Sequence, residues 1–209
     1  MCYLSSYLKG KTIAVPANIS THHALLDRYL RKGGLSLKDV TTRVIAPPDM
    51  VKALEGGGID GYIVAEPWCA KAEIEGAGRI LVLSKDILKE HICCVVVVRS
   101  SVLKENPSGI QEWVDSLIRS GKFIDLDKTR NSAKNITPIA DKYMGHRENV
   151  VREALLNPLD RITYSDLNPR LGDYRAILEM SQKAGILGDV DLERFIDSRF
   201  YKESKEAKG

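Results

Sequence analysis

Thr12-Ile13-Ala14-Val15-Pro16 opens the stretch that decides the fold, and Ile59-Asp60-Gly61-Tyr62-Ile63-Val64-Ala65-Glu66-Pro67-Trp68 closes it. The first reads as a strand: β-branched and apolar residues, then a proline that has no N–H to continue a ladder. A polar turn, Asn18-Ile19-Ser20-Thr21-His22-His23, leads into a helix from about residue 24. Ser20 or Thr21 suits its N-cap, and Leu25, Leu26, Tyr29 and Leu30 fall on one face. Gly33-Gly34 ends it. Residues 40–46 read as a second strand, broken by Pro47-Pro48. Asp49 begins a second helix, placing a carboxylate where the helix dipole favours it, and Gly56-Gly57-Gly58 closes it. Residues 62–65 are a third strand, Glu66-Pro67-Trp68 starts a further helix with proline near its first turn, and residues 79–83 are a fourth strand. The alternation βαβαβαβ predicts a parallel sheet with helices on both faces. Open α/β sheets bind ligands outside the carboxyl ends of their strands. The two polar turns are therefore expected at one crevice.

Beyond residue 90 the character changes. Cys93-Cys94-Val95-Val96-Val97-Val98 is an unbroken apolar run, the pattern of a strand covered on both faces; in it the two cysteines read as small buried hydrophobes. Helices follow. Asn106-Pro107 opens one with Ile110, Trp113, Val114, Leu117 and Ile118 at helical spacing, closed by Gly121. Residues 134–143 and 147–156 are two more, divided by Gly145; residues 174–184 and 191–200 are the last two. The chain thus divides into an α/β half, about 11–86, and a helix-rich half, 87–209, with one strand. Backbone groups in a buried strand must be paired, so residues 93–98 either join the first sheet or find partners outside this chain.

Composition bounds the function. The chain has 209 residues, 44% hydrophobic and 28% charged, with 31 basic against 28 acidic residues and a net charge of +3. No basic run suggests nucleic acid as a partner. The cysteines are Cys2, Cys69, Cys93 and Cys94; none form a Cys-x-x-Cys pair, so no metal site or cofactor is expected. No apolar run approaches the ~18–20 residues of a membrane span, and the first ten residues lack the features of a signal peptide. The chain taken as complete is expected in the cytoplasm, with a mixed-charge C-terminal tail that frays.

A family resemblance rests on the order of several motifs: Leu8-Lys9-Gly10-Lys11-Thr12-Ile13-Ala14-Val15, the Ser/Thr-His turn, Gly34-Leu35, Pro48-Asp49-Met50-Val51-Lys52-Ala53-Leu54, Gly58-Ile59-Asp60-Gly61, Glu66-Pro67-Trp68, His91-Ile92-Cys93-Cys94-Val95-Val96-Val97, Glu105-Asn106-Pro107, and Leu156-Asn157-Pro158 through Asp166-Leu167-Asn168-Pro169. Together they resemble the nitrate, sulfonate and taurine substrate-binding proteins of ABC transporters, within the thiamine-precursor-like superfamily. The resemblance implies a type II periplasmic-binding-protein-like α/β fold of two lobes, with residues 11–86 as the second lobe and 87–209 as the return into a first lobe that is incomplete. It implies a small anionic or zwitterionic solute in an interlobe cleft, an ABC permease as partner, and a periplasmic or cell-surface location peripheral to the membrane. With a lobe incomplete, the chain alone is expected to bind such solutes poorly and to pair with a second copy.

The ligand-binding candidates are Asn18, Ser20, Thr21, His22, Glu66, Pro67, Trp68 and His91. A helix N-terminus offers N–H donors and a positive dipole end to an oxyanion, which points to Ser20, Thr21 and His22; the same hydroxyls also suit simple capping. Adjacent histidines on a helix diverge, so at most one of His22 and His23 faces the crevice. Glu66 beside an anion is repulsive and suits an ammonium group, a cation or a loop tie. Trp68 offers a stacking wall or packs its own helix, and His91 lies near the crossing between lobes. No catalytic residue is assigned. Two alternatives stay open: a cytoplasmic anion sensor of the same fold, and an enzyme of thiamine-pyrimidine-precursor synthesis, to which only the paired cysteines point.

Overall fold

The computed structural model describes residues 4–208; Cys2 lies outside them. The chain divides into two compact units, Met1–Cys93 with Ala176–Val190, and Cys94–Arg175 with Asp191–Gly209.

The first unit is built on three parallel strands, β1 (Thr12–Val15), β2 (Thr41–Val44) and β3 (Gly61–Tyr62), in the order β2-β1-β3. β1 pairs with both neighbours, Val15 opposite Val44 and Ala14 opposite Tyr62. Alternation along β1 sends successive side chains to opposite faces. Ile13 and Val15 pack with Leu26 and Leu30 of helix α1 (Thr21–Lys32). Ala14 packs with Met50 of helix α2 (Pro47–Glu55) and with Ile59. Both faces of β1 are thus dry, as the continuous apolar reading of this strand requires. Helix α3 (Trp68–Ile74) follows β3. A third cluster sets Ala24 and Leu25 of α1 against Ile87, from the short helix α4 (Ser84–Ile87), and Met180. Arg28 Nε donates to the Ile87 carbonyl at 3.0 Å and Lys32 Nζ to that of Asp86 at 2.9 Å, fastening α4 along α1.

Several boundaries differ from the sequence reading. α1 begins at Thr21, because Ser20 Oγ already accepts the His23 N–H. Pro47 and Pro48 do not precede α2; they occupy its first turn, where a missing N–H costs nothing. Residues 79–83 form no strand, and Leu81 is exposed. The larger correction concerns residues 93–98. Residues 91–99 form no strand, helix or turn, and Val95, Val96 and Val97 are 45%, 46% and 72% exposed. Hydrophobicity predicted burial, but burial of a strand needs a paired ladder, and among the described residues this run has none. Cys93 and Cys94, read as buried, are exposed as well.

The second unit is helical: α5 (Ser100–Glu105), α6 (Pro107–Asn131), α7 (Ile136–Met144), α8 (Glu148–Leu156) and the shorter α10 (Leu192–Phe195) and α11 (Arg199–Glu203), with α9 (Leu171–Lys183) passing from this unit into the first. Residues 191–200, read as one helix, are split between α10 and α11. α6 runs well past Gly121, which the sequence reading took as its end. A Cβ at Gly121 would sit 3.0 Å from Tyr164 Cβ and 3.2 Å from Leu167 Cδ1, so the glycine marks a close approach of the 164–167 segment. That segment is held to α6 by Tyr164 N–H donating to Asp125 at 2.9 Å and by buried Lys128, which donates to the Ile162 carbonyl. The tail, expected to fray, is tied down at the described residues 204–206: Ser204 is buried and the Glu206 carbonyl accepts from Lys122 Nζ at 2.5 Å. No helix among the described residues is long and apolar enough to cross a membrane.

The turn from α6 to α7 places Ser132 and Ala133 at φ +53 and +58, a region costly for side chains with a Cβ. Buried Asp127 holds it, accepting from Asn131 Nδ2, Asn135 N–H, Asn135 Nδ2 and Ile136 N–H at 2.7 to 3.1 Å. Burial opposes its charge, but the Ile136, Asn131 and Asn135 donors outweigh it and hold the carboxyl below its usual range. Its folded pKa is depressed, so this stabilisation is complete above the unfolded value of about 3.9 and is lost as pH falls through the folded value. Asp127→Ala is expected to lower the stability of the second unit by about 2 kcal/mol at neutral pH, with the deficit shrinking in acid. Urea unfolding at pH 7 and pH 3 followed by circular dichroism measures both.

Candidate functional site

Parallel pairing sets the site's geometry. The Ile63 N–H donates to the Ala14 carbonyl at 3.0 Å and the Ile45 N–H to the Val15 carbonyl at 3.1 Å. The loops after β1, β2 and β3 therefore leave one edge of the sheet side by side. The Asn18–His22 turn follows β1 and Glu66-Pro67-Trp68 follows β3, both on the side where those strands end.

The β1–α1 turn is closed on itself. Ser20 Oγ donates to the Ala17 carbonyl at 2.7 Å while accepting the His23 N–H at 3.2 Å. Its only proton is already committed, so Ser20 shapes the turn and supplies no O–H to an anion. His23 is the buried histidine; its Nδ1 donates to the Asn18 carbonyl at 2.8 Å, since a carbonyl can only accept. Asn18 contributes through that carbonyl, and its exposed side chain remains at the turn. The first-turn N–H groups of Thr21 and His22 have no intrahelical acceptor by the geometry of a helix start. They are the donors that the α1 N-terminus presents.

His22 is half-buried, and so is His91. Burial first, and then the positive form of His91, push the His22 pKa below its ordinary value. The charge of His91 thus reaches His22 electrostatically. His91 is lowered by burial, against the opposing pull of the Leu88 carbonyl, 3.1 Å from its Nδ1. The contacts of α4 with α1 bring the 88–91 segment to this place. Sequence reasoning named both histidines but had no signal that they interact.

The β3–α3 side is more structural than its residue types suggested. Glu66 Oε2 accepts the Ala70 N–H at 3.0 Å, an N-terminal cap for α3. The Glu66-Pro67 peptide is cis. The Trp68 carbonyl accepts the Tyr62 hydroxyl at 2.8 Å, and the Lys71 ammonium lies over the Trp68 ring, 5.5 Å from its centroid. Burial, with the charges of Cys69 and Glu66, raises Tyr62 far above the ordinary phenol range, so it stays a donor. Lys71, which sequence reasoning missed, adds a positive charge through the indole. Among the described residues no group of three His, Cys, Asp or Glu side chains is placed to hold a metal ion.

The second unit carries its own hollow of about 500 Å³, lined by Leu103, Lys104, Arg199, Phe200 and Glu203 among others. Arg199 there is held by Asp197 at 2.7 Å and lies over the Phe200 ring. None of these residues was a candidate from sequence.

Residues 3–140 match the NMT1-like family. The nitrate-binding protein NrtA of Synechocystis PCC 6803 superposes with a TM-score of 0.84 at 15% identity, over 98% of this chain and 58% of that one. The ligand-binding component of an ABC-type import system from Staphylococcus aureus, solved with zinc bound, superposes at 0.82 and 22% identity, over 95% and 65%. A putative aliphatic sulfonates-binding protein of Escherichia coli is 31% identical over 146 residues, 67% of this chain and 45% of its own length. A desulfurization enzyme, DSZB, is more remote, with a TM-score of 0.58 at 16% identity. The chain spans less than two thirds of each of the two binding-protein structures. Its fold is the α/β fold of these two ligand-binding proteins.

The depressed histidines carry a stability consequence. Their folded pKa values lie below the unfolded value of about 6.5. The unfolded chain takes up protons first as pH falls, so stability present above about pH 6.5 is lost towards acid. Thermal unfolding at pH 7.5 and pH 5.5 should show a lower Tm at pH 5.5, and His91→Gln should narrow the gap. The chain belongs to the NMT1-like family.

Proposed function

We propose that this chain is the solute-binding component of an ABC importer, periplasmic or at the cell surface, that captures a small anionic or zwitterionic solute of the nitrate, sulfonate or taurine kind and delivers it to a membrane permease. Nitrate and sulfonates come from the relatives' names, and taurine is itself a zwitterionic sulfonate. The observation that carries the reading is the sheet edge where the α1 N-terminus, with the Thr21 and His22 N–H groups, meets two half-buried neutral histidines beside the Glu66–Trp68 loop.

The chemistry follows from those groups. The two N–H donors and the positive end of α1 hold an oxyanion, and the Thr21 hydroxyl adds a third donor. Burial disfavours the charged forms of both His22 and His91, and for His22 the charge of His91 adds to it. An anion placed between them reverses that balance, so binding takes up a proton and strengthens as pH falls. Trp68, with Lys71 over its ring, offers an apolar wall to the organic part of a sulfonate. The Glu66 carboxylate faces the amine end of a zwitterion while it caps α3. Closure around such a ligand follows if the bound anion favours one arrangement over another.

The likeness to the desulfurization enzyme supports a second, enzymatic reading. It needs a nucleophile at this edge. Cys69 stands nearest in sequence, and its thiol is engaged in donating to the Val64 carbonyl at 3.7 Å.

Calorimetric titration with nitrate, methanesulfonate and taurine at pH 5.5 and pH 8 tests the proposal. Saturable binding of at least one is expected, about tenfold tighter at pH 5.5, or about 1.4 kcal/mol, with most of that dependence lost in His22→Gln. Equal affinity at both pH values removes the histidine mechanism, and no binding of any of the three removes the function. Conversion of a titrant to a new mass would favour the enzyme.

A further inference from the structure

Cys93 and Cys94 are neighbours in sequence, both exposed and neither in a disulfide. The chain passes from the first compact unit to the second at the peptide bond between them. Residues 91–99 run without helix, strand, turn or bend. In an extended backbone successive side chains point to opposite sides. A disulfide requires Cβ atoms about 3.8 Å apart and a dihedral near 90°. Two adjacent cysteines meet that only if the backbone bends between them.

We propose that Cys93 and Cys94 form a reversible vicinal-dithiol site whose oxidation bends the chain where it leaves the first unit. The oxidant is a small-molecule disulfide. One cysteine thiolate attacks it, forming a mixed disulfide and releasing one small thiol. The neighbouring thiolate then attacks the protein-bound sulfur, closing a small ring and releasing the second small thiol. Two electrons and two protons pass from the cysteine pair to the small disulfide, which becomes two thiols. The second step is intramolecular and outruns capture of a second oxidant molecule. The product is exposed and strained, which places it among the labile, easily reduced disulfides. Burial would have made these thiols inert; their exposure is what opens the chemistry. An oxidising compartment keeps the ring closed and a reducing one opens it. None of this depends on the solute bound by the first unit.

The test uses the full chain, reduced, then incubated with oxidised glutathione and digested. The peptide holding Cys93 and Cys94 is expected to lose two hydrogens, to resist alkylation, and to return to its original mass with dithiothreitol, with no disulfide between two chains at any stage. Cys93→Ser and Cys94→Ser should each stop at one glutathione adduct on the remaining cysteine. A wild-type peptide that carries two glutathiones, stays unmodified or cross-links two chains overturns the site. Amide hydrogen exchange over residues 95–98 should differ between reduced and oxidised wild type, and identical exchange overturns the bend.

Discussion

The Ala14 carbonyl accepts from Ile63 and the Val15 carbonyl from Ile45, so β1 is bonded on both sides at its last two residues. A parallel ladder aligns strand ends as well as strand bodies. That fixes three loops at one edge, and with them the N-termini of α1, α2 and α3. Burial of β1 on both faces makes this placement rigid. Ile13 and Val15 are committed to the α1 face and Ala14 to the α2 face, and a slip by one residue would exchange them. The candidate site therefore takes its geometry from the part of the molecule least able to move.

The features legible in sequence are those that local chemistry decides. A four-residue apolar strand stopped by Pro16, a helix with Leu25, Leu26 and Leu30 on one face, and a glycine at a helix end, as at Gly145, each follow from neighbouring residues. The misread features depend on distant partners. Residues 93–98 have strand composition, yet a strand exists only where another supplies its ladder. Gly121 has the composition of a helix stop, but its cause is Tyr164, a contact no window along the chain contains. The effect of His91 on His22 depends on Arg28 and Lys32 reaching the carbonyls of residues 86 and 87. Each of these arginine and lysine contacts reads in sequence as an ordinary exposed charge.

Candidate residues divide by what their polar atoms already do. Ser20 and Glu66 were candidates that also suited a structural role, and both are engaged in holding a helix start. Capping and binding compete for the same atoms: a hydroxyl has one proton, and that of Ser20 goes to Ala17. Thr21 and the backbone N–H groups of Thr21 and His22 were weaker candidates by type. They become the donors on offer because a helix leaves its first N–H groups without internal acceptors. In the proposed site the backbone would supply the affinity for an anion, and the side chains its shape and its dependence on pH.

The adjacent histidines show the same division within one turn. Successive residues on a helix are rotated by about 100°, from 3.6 residues per turn, so one ring of the pair goes inward and the other towards the edge. His23 goes inward, and its Nδ1 proton ties the Asn18 carbonyl. This leaves Nε2 as a buried acceptor with no hydrogen-bond partner among the described residues, at a cost of about 1–3 kcal/mol. Its contribution is to fix the turn. His22 lacks that tie, and burial, then the charge of His91, set its balance between neutral and charged forms. Of two identical side chains one is committed to the turn by its hydrogen bond, and the other is left at the helix start, where the proposed anion would meet it.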